Sequence, residues 1–196
     1  MQTYPTGYTE SHRMAEKIFR EILPRHSMAV REEQIALCHE VLDTLYNKEI
    51  SLCEAGVGTG KTLAYLVACI LWQMHRPERM KLPSVISTSS VALQDAILTE
   101  YLPDLSAVLL GEGIIREPIT AVVRKGKERF VCDARLAERA SLVQPSRKRQ
   151  TNSLNIAAHI LDMDHIPELS RYDRCRICVP QSCPCLLYTS PSPRDS

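Results

Sequence analysis

A glycine-rich segment between residues 55 and 62 carries the residue types that bind phosphate groups. It reads Ala55-Gly56-Val57-Gly58-Thr59-Gly60-Lys61-Thr62, which is the phosphate-binding loop pattern with alanine in place of its first glycine. Glycines let successive backbone N–H groups face one concavity, and a helix that begins at Lys61 adds its positive dipole end. We expect Lys61 to reach the β and γ phosphates of ATP and the Thr62 hydroxyl to ligate Mg²⁺. The alternative is an ordinary glycine-rich turn between a strand and a helix.

The cysteines form a second pattern, with the spacing of metal ligands. Five of the eight lie in the C-terminal part of the sequence: Cys132, Cys175, Cys178, Cys183 and Cys185. Four thiolates can hold either a [4Fe–4S] cluster or a structural zinc ion, and spacing alone does not separate the two. The N-terminus has no basic region followed by an apolar stretch, so we expect a cytoplasmic, reducing environment that disfavours disulfides. Unligated surface thiols are the alternative.

Apolar periodicity predicts the elements that position these residues. Helical spacing predicts four helices, at Ser11–Leu23, Arg31–Tyr46, Lys61–Met74 and Ser90–Tyr101. Short apolar runs predict three buried strands, at Ile50–Cys53, Ser84–Thr88 and Ile119–Val123. Alternating strands and helices indicate an α/β protein with a parallel sheet covered by helices, and the sequence after Arg124 looks helical and charged.

Composition and charge exclude several classes of protein. Of 196 residues, 44% are hydrophobic and 24% are charged, which is near the average of globular proteins. The longest apolar run, Leu63–Trp72, is about half as long as a membrane span, so no membrane partner is expected. The net charge is only +1, but Lys and Arg exceed Asp and Glu by ten to four between Ile115 and Gln150. This basic segment is predicted to contact a polyanion such as single-stranded DNA; a solvated basic face is the alternative.

Four segments in order resemble DinG-type DNA helicases, which are relatives of the XPD helicase in superfamily 2. Glu54–Leu66 is similar to their first helicase motif, and Arg31–Gln34 to an Arg-x-x-Gln element whose glutamine contacts adenine. Ile86–Gln94 resembles motif Ia, which contacts the DNA backbone. Arg124–Cys132 resembles the Lys-Gly-Arg-x-x-Tyr-x-Cys run at the start of the iron–sulfur domain. The resemblance covers about residues 28 to 184.

The resemblance implies an ATP-dependent DNA helicase with a RecA-like fold, an incomplete parallel sheet with helices on both faces. It implies a helical segment at 1–27, the first part of the ATP-binding domain at 28–124 and a helical iron–sulfur insert at 125–184. Catalytic roles fall to Lys61 and Thr62, and the ATP site also takes Arg31, Gln34 and residues 55–60. The implied DNA contacts are Ser87, Thr88, Ser89 and Gln94. The implied ligands of a [4Fe–4S] cluster are Cys132, Cys178 and Cys183, with Cys175, Cys185 or a residue outside this chain as the fourth. The expected partners are single-stranded DNA and duplex junctions, bound by a monomer.

The final residues, 185–196, resemble the translation of a transposase adapter used in DNA library preparation, so we expect them to be an artefact at the end of a gene fragment. The family's carboxylate box, second RecA-like domain and arginine finger have no match in the chain, so we expect nucleotide binding without appreciable turnover. The run Asp162–His165 lacks the box's glutamate and is assigned no catalysis. Two other functions stay open: a different P-loop ATPase or nucleotide kinase, and a zinc-binding interaction module.

Overall fold

The computed structural model describes residues 6–76, 82–144 and 147–183. These residues divide into two compact units, Met1–Ala121 and Val122–Ser196, which are described separately. The predicted boundary between Arg124 and Lys125 lies close to this division. The regular secondary structure of the described residues is helical. None of the helices formed by these residues has the length and hydropathy required to cross a membrane.

The first unit begins with one long helix in three parts: α1 (Tyr8–Lys17), a π-helical turn (Ile18–Ile22) and α2 (Leu23–Arg25). Its buried side is apolar, with Ile18 and Ile22 fully buried. The helix continues past the predicted end at Leu23, and Pro24 directly precedes its last residue, Arg25. Because proline lacks the N–H that would extend the hydrogen-bond ladder, the helix ends one residue later than the proline and not before it.

Helices α3 (Glu32–Asn47) and α4 (Lys61–Met74) form the centre of the first unit and pack against each other and against α1. Both lie close to their predicted ranges. Their contact buries Leu42, Val67 and Leu71 completely. Near the end of α4, the guanidinium group of Arg76 lies 4.3 Å from the ring centroid of the half-buried Trp72.

The rest of the first unit's helical structure is α5 (Val91–Ala96), a π-helical turn (Ile97–Tyr101) and α6 (Leu102–Gly111). These three segments are continuous, so the helix predicted at Ser90–Tyr101 ends ten residues later than expected. Leu105 and Leu109 of α6 are buried in the same core.

The predicted RecA-like parallel sheet is wrong for this structure. The described residues form no strand, and the three segments predicted to be strands are extended connections without ladder partners. Their apolar side chains face solvent: Leu52 is 101% exposed, Val85 86% and Val122 72%. A short apolar run indicates a strand only if another strand lies beside it to pair its backbone groups. Here the apolar area that is buried belongs to helices instead.

The second unit contains α7 (Asp133–Leu142), α8 (Lys148–Ala157) and α9 (Arg171–Ile177). One 3₁₀ turn, Lys127–Arg129, precedes α7, and another, Met163–His165, lies between α8 and α9. Isolated antiparallel bridges join Phe130 to Asp162 and Val131 to Cys178. The core of this unit is small and aliphatic, and its members are Val131, Leu136, Leu154, Ala157, Met163, Ile166, Leu169 and Ile177.

One buried carboxylate joins the three helices of the second unit. Asp173 of α9, 1% exposed, accepts hydrogen bonds from Arg139 Nε of α7 at 2.8 Å and Gln150 Nε2 of α8 at 2.9 Å. Ser170 caps α9 and donates to the same carboxylate at 2.6 Å. Burial alone would raise the pKa of Asp173, but these partners lower it below the ordinary value of 3.8. The hydrogen bonds of the folded protein therefore favour the ionised form of Asp173.

Candidate functional site

The glycine-rich loop leads directly into α4, and two of its glycines have backbone conformations that L side chains rarely adopt. Gly58 has a φ of 85° and Gly60, the N-cap of α4, a φ of 80°. A Cβ on Gly60 would lie 2.1 Å from Gln34 Nε2. Glycine at position 60 therefore permits both the turn and the close approach of α3.

Lys61 and Thr59 hold the loop together from within. Lys61 Nζ donates to the carbonyl oxygens of Ala55 at 2.9 Å and Gly56 at 2.6 Å. Thr59 Oγ1 donates to the Gly56 carbonyl at 3.0 Å. Lys61 itself is exposed, so its ammonium can exchange these carbonyls for another anionic or polar partner at little cost in solvation.

The N-terminal turn of α3 supports the loop from outside. Gln34, only 6% exposed, donates from Nε2 to the Gly60 carbonyl at 2.8 Å. Arg31 donates to the Gly58 carbonyl. The structure thus brings Arg31 and Gln34 onto the predicted phosphate loop, where both act on its backbone. The adenine contact that the resemblance implies for Gln34 stays a prediction.

The start of α4 offers backbone donors. In the described part of the chain, no hydrogen bond is found from the backbone N–H groups of residues 56–62 to another protein group. Such groups are the usual ligands of anions at the beginning of a helix. The Thr62 side chain forms a hydrogen bond with Tyr65 one turn later; burial raises the pKa of Tyr65 and this bond opposes the rise.

The predicted DNA-contacting residues lie just before and within α5, next to its N-cap residue, Ser90. Ser90 accepts from Leu93 N at 3.2 Å as the N-cap of α5. Thr88 Oγ1 accepts from Ser90 N at 3.1 Å, and Gln94 Nε2 donates to the Thr88 carbonyl at 3.2 Å. Ser87 and Ser89 are exposed. The capping role of this segment is therefore observed, and its DNA contact stays a prediction.

The Lys-Gly run contains a buried ion-pair network that the sequence did not reveal. Lys125 Nζ lies 2.7 Å from Asp162 Oδ2 and 3.2 Å from Asp164 Oδ2, and its side chain is 6% exposed. Arg129 Nη1 lies 3.0 Å from Asp164 Oδ1. Burial opposes the charged form of Lys125, but the two aspartates raise its pKa above the ordinary value. Both carboxylates of the Asp162–His165 run thus serve as structural counter-ions.

The structure brings two of the predicted cluster ligands onto neighbouring backbone segments. Cys178 is the bridge partner of Val131, and Cys132 N donates to the Ile177 carbonyl at 2.7 Å. Cys183 follows, and its carbonyl accepts from Lys127 Nζ at 2.8 Å. Cys175 is exposed on α9, and Cys185 lies outside the described residues, as does the suspected artefact.

Among the residues that the structure describes, no three His, Cys, Asp or Glu side chains are arranged so that they could hold a metal ion. Arg135 Nη1 lies 4.0 Å from Cys178 Sγ.

Fold and loop together define a helical protein in which a glycine-rich turn, held by α3, presents backbone donors and a lysine at the start of α4. Comparison with known proteins then shows which sequences the chain is similar to. The chain is 34% identical over 117 residues to the 3'-5' exonuclease DinG of Bacillus subtilis, covering 60% of this chain and 11% of that protein. It is 27% identical over 92 residues to the 3'-5' exonuclease DinG of Staphylococcus aureus strain USA300, covering 47% and 10%.

Over the matched region the sequence of this chain is similar to that of these DinG proteins, which confirms the resemblance to DinG-type proteins. The matched region spans about a tenth of the length of these relatives. No family model matches the chain. No solved structure matches it either.

Proposed function

We propose that this chain supplies the nucleotide-binding site of a DinG-type, ATP-dependent DNA helicase, and that residues 55–62 bind the triphosphate of ATP with Mg²⁺. The observation that carries the proposal is the loop itself. Two glycines in the left-handed region, Gly58 and Gly60, precede a helix whose first N–H groups have no protein acceptor among the described residues. That combination is an anion-binding arrangement.

The chain's own residues account for the binding step. Backbone N–H groups of the loop donate to the phosphate oxygens, and Lys61 Nζ turns from the Ala55 and Gly56 carbonyls to the β and γ phosphates. The Thr62 hydroxyl would hold Mg²⁺, which neutralises phosphate charge when it is bound. Arg31 and Gln34 keep the Gly58 and Gly60 carbonyls turned toward α3 and away from the anion.

Action on DNA is proposed from the relatives. They bear the name of an exonuclease, and their DinG-type sequence is shared over the matched region. The motifs in this chain belong to nucleotide binding and strand contact, so we assign it the helicase part of such an enzyme. Exposed Ser87 and Ser89, together with the basic segment, are the proposed contacts to DNA phosphates.

Titration with a fluorescent ATP analogue in the presence of Mg²⁺ tests the loop. Lys61→Ala should weaken binding at least tenfold, because no other cation of the motif can replace its ammonium at the phosphates. Lys48→Asn is the matched control: it removes another exposed lysine of the first unit, and asparagine tolerates the φ of 58° found there. Equal affinity in wild type and Lys61→Ala would refute the phosphate-loop assignment.

The cysteine region needs a separate measurement, since the [4Fe–4S] cluster stays a prediction from the family resemblance. Anaerobically purified protein is assayed for iron, zinc and visible absorbance. Iron with broad visible absorbance supports the iron–sulfur helicase. Zinc without absorbance favours the interaction module, and neither metal favours a different P-loop ATPase or kinase.

A further inference from the structure

The side chain of Gln34 lies between α3 and the first turn of α4. It belongs to the face of α3 that packs on α4, because Cys38, one turn later, is completely buried in the core of the first unit. Gln34 itself is only 6% exposed. Its amide group covers the Cα of Gly60, since a Cβ built there would lie 2.1 Å from Nε2 and 3.5 Å from Oε1. The amide therefore faces the glycine-rich loop and not solvent.

The carbonyl group of Gly60 accepts two hydrogen bonds. Ala64 N donates to it at 3.2 Å, which closes the first turn of α4, and Gln34 Nε2 donates to it at 2.8 Å. The two donors fix the orientation of the peptide group between Gly60 and Lys61. Because a trans peptide is planar, its C=O and N–H point in opposite directions. The N–H of Lys61 is thereby directed out of the helix, towards the position of an anion bound at the start of α4.

Recognition of a base would need the same amide group. A glutamine that reads adenine uses its oxygen and its nitrogen together, one for the amino group at N6 and the other for N7. To reach a base, the amide of Gln34 would have to leave the Gly60 carbonyl and release the peptide group that it holds. Arg31, the other named side chain of the Arg-x-x-Gln element, likewise donates to the Gly58 carbonyl. Both side chains therefore serve the part of the site that would hold phosphates.

We propose that Gln34 is a positioning residue for the triphosphate, and that the loop accordingly binds nucleoside triphosphates whatever their base. The inference rests on the proposed function and specifies the class of ligand for that site. Binding then comes from the backbone N–H groups of the loop, Lys61 and Thr62, which meet only the phosphates and Mg²⁺ that every such ligand shares. Inorganic triphosphate should therefore compete for the same site.

Competition against a ribose-labelled fluorescent nucleotide, in the presence of Mg²⁺, measures the affinity of the full chain for ATP, GTP and inorganic triphosphate. Wild type should bind ATP and GTP equally. Gln34→Met keeps the length of the side chain and removes its amide. It should weaken binding of all three ligands by the same factor, about fivefold, because one hydrogen bond to the loop is lost. Ala36→Met is the matched control: it places the same side chain on the exposed side of α3 and should bind like wild type.

An NMR measurement separates positioning from a merely structural role. The amide nitrogen of Lys61 belongs to the peptide group whose carbonyl accepts from Gln34. Its resonance should therefore shift in Gln34→Met without nucleotide and stay in place in Ala36→Met. Urea unfolding followed by circular dichroism shows whether each variant is folded. An unshifted Lys61 resonance in folded Gln34→Met overturns the positioning role, as does an affinity of that variant equal to wild type for all three ligands.

The affinities of the wild type decide the question of the base even if Gln34→Met does not fold. Wild type that binds ATP much more tightly than GTP overturns the inference and leaves the loop assignment intact. A loss in Gln34→Met that is confined to ATP also overturns it and identifies Gln34 as an adenine contact. Wild type that binds none of the three ligands refutes the proposed function, and the inference with it.

Discussion

Gly58 and Gly60 have nearly the same φ, but their surroundings differ. Nothing lies within 4 Å of a Cβ built on Gly58, whereas a Cβ on Gly60 meets Gln34 Nε2 at 2.1 Å. Gly58→Ala should therefore lower the free energy of unfolding by only about 1 kcal/mol, because alanine must adopt the left-handed conformation there. Gly60→Ala carries the same cost and must also displace the buried Gln34, so we expect a loss of about 2 kcal/mol or more.

Urea unfolding followed by circular dichroism measures both variants. Shortening the neighbour in the double variant Gln34→Ala/Gly60→Ala should recover part of the difference. Equal destabilisation by the two glycine substitutions would show that the contact with α3 does not matter.

At the scale of elements, a chain of polar groups joins α1 to α3. His12 Nδ1 lies 2.6 Å from His39 Nδ1, and their outer nitrogens face Asp43 at 3.2 Å and Glu16 at 2.9 Å. Two nitrogens at that distance share a single proton. Burial lowers the pKa of His12 below its ordinary value of 6.5; Asp43 opposes this shift and His39 adds to it.

The first unit should therefore lose stability as the pH falls below about 6.5. With its pKa depressed in the folded state, His12 is protonated more readily in the unfolded chain, so acid favours unfolding. His12→Gln should flatten the pH dependence between pH 7 and 5.5, and His26→Gln, which removes an exposed histidine, should leave it unchanged. Urea unfolding monitored by the fluorescence of Trp72, the single tryptophan, gives this dependence. If His12→Gln left the pH dependence of the free energy of unfolding unchanged, the role assigned to His12 would be contradicted.

A second contact between elements is the pairing of Lys125 with the 3₁₀ turn at Met163–His165. Lys125→Met should lower the free energy of unfolding by about 2 kcal/mol, because Asp162 loses its cation and Asp164 keeps only its arginine partners, Arg129 and Arg174. Lys148→Met removes an exposed lysine and should have little effect. In a double-variant cycle with Asp164→Asn, the stability lost by the double variant should be smaller than the sum of the losses of the two single variants. Additive losses in urea unfolding would argue against a direct pair.

Helical periodicity predicted α3 and α4 well, because each has enough turns for an apolar stripe to stand out. The three predicted strands were wrong, since a run of four or five residues with a few apolar side chains fits an exposed connection as readily as a strand. For the site, the glycines and Lys61 were evident from local spacing. The contacts of Gln34 with Gly60 and of Lys125 with Asp162 were not evident. They join residues far apart in the sequence, and no local pattern indicates which distant residue a side chain will contact.

On the scale of the whole molecule, the net charge of +1 does not show which basic side chains form ion pairs within the protein. Within the basic segment, Lys125, Arg129 and Arg139 pair with aspartates of the second unit. They are therefore unavailable to a polyanion. Exposed Arg147, Lys148 and Arg149 remain candidates for strand contact.

Replacing these three exposed residues with glutamine should make the log–log salt dependence of single-strand binding shallower by about 2, from roughly 0.7 for each phosphate contact. Anisotropy titrations between 50 and 200 mM salt, about the range over which such slopes are read, measure it. A triple substitution of exposed acids, Glu117, Glu128 and Glu138, is the opposite-charge control and should strengthen binding. An unchanged slope in the glutamine variant would assign binding to other residues.

Helix α4 gives the molecule an intrinsic optical reporter. It has 14 residues and is therefore about 21 Å long, with the glycine-rich loop at its first turn and Trp72 in its last. The indole lies against the Arg76 guanidinium, a cation that influences its emission. Any tilt of α4 that accompanies ligand binding at the loop would move the indole relative to Arg76. The emission spectrum of the unlabelled protein can then report whether the loop is occupied.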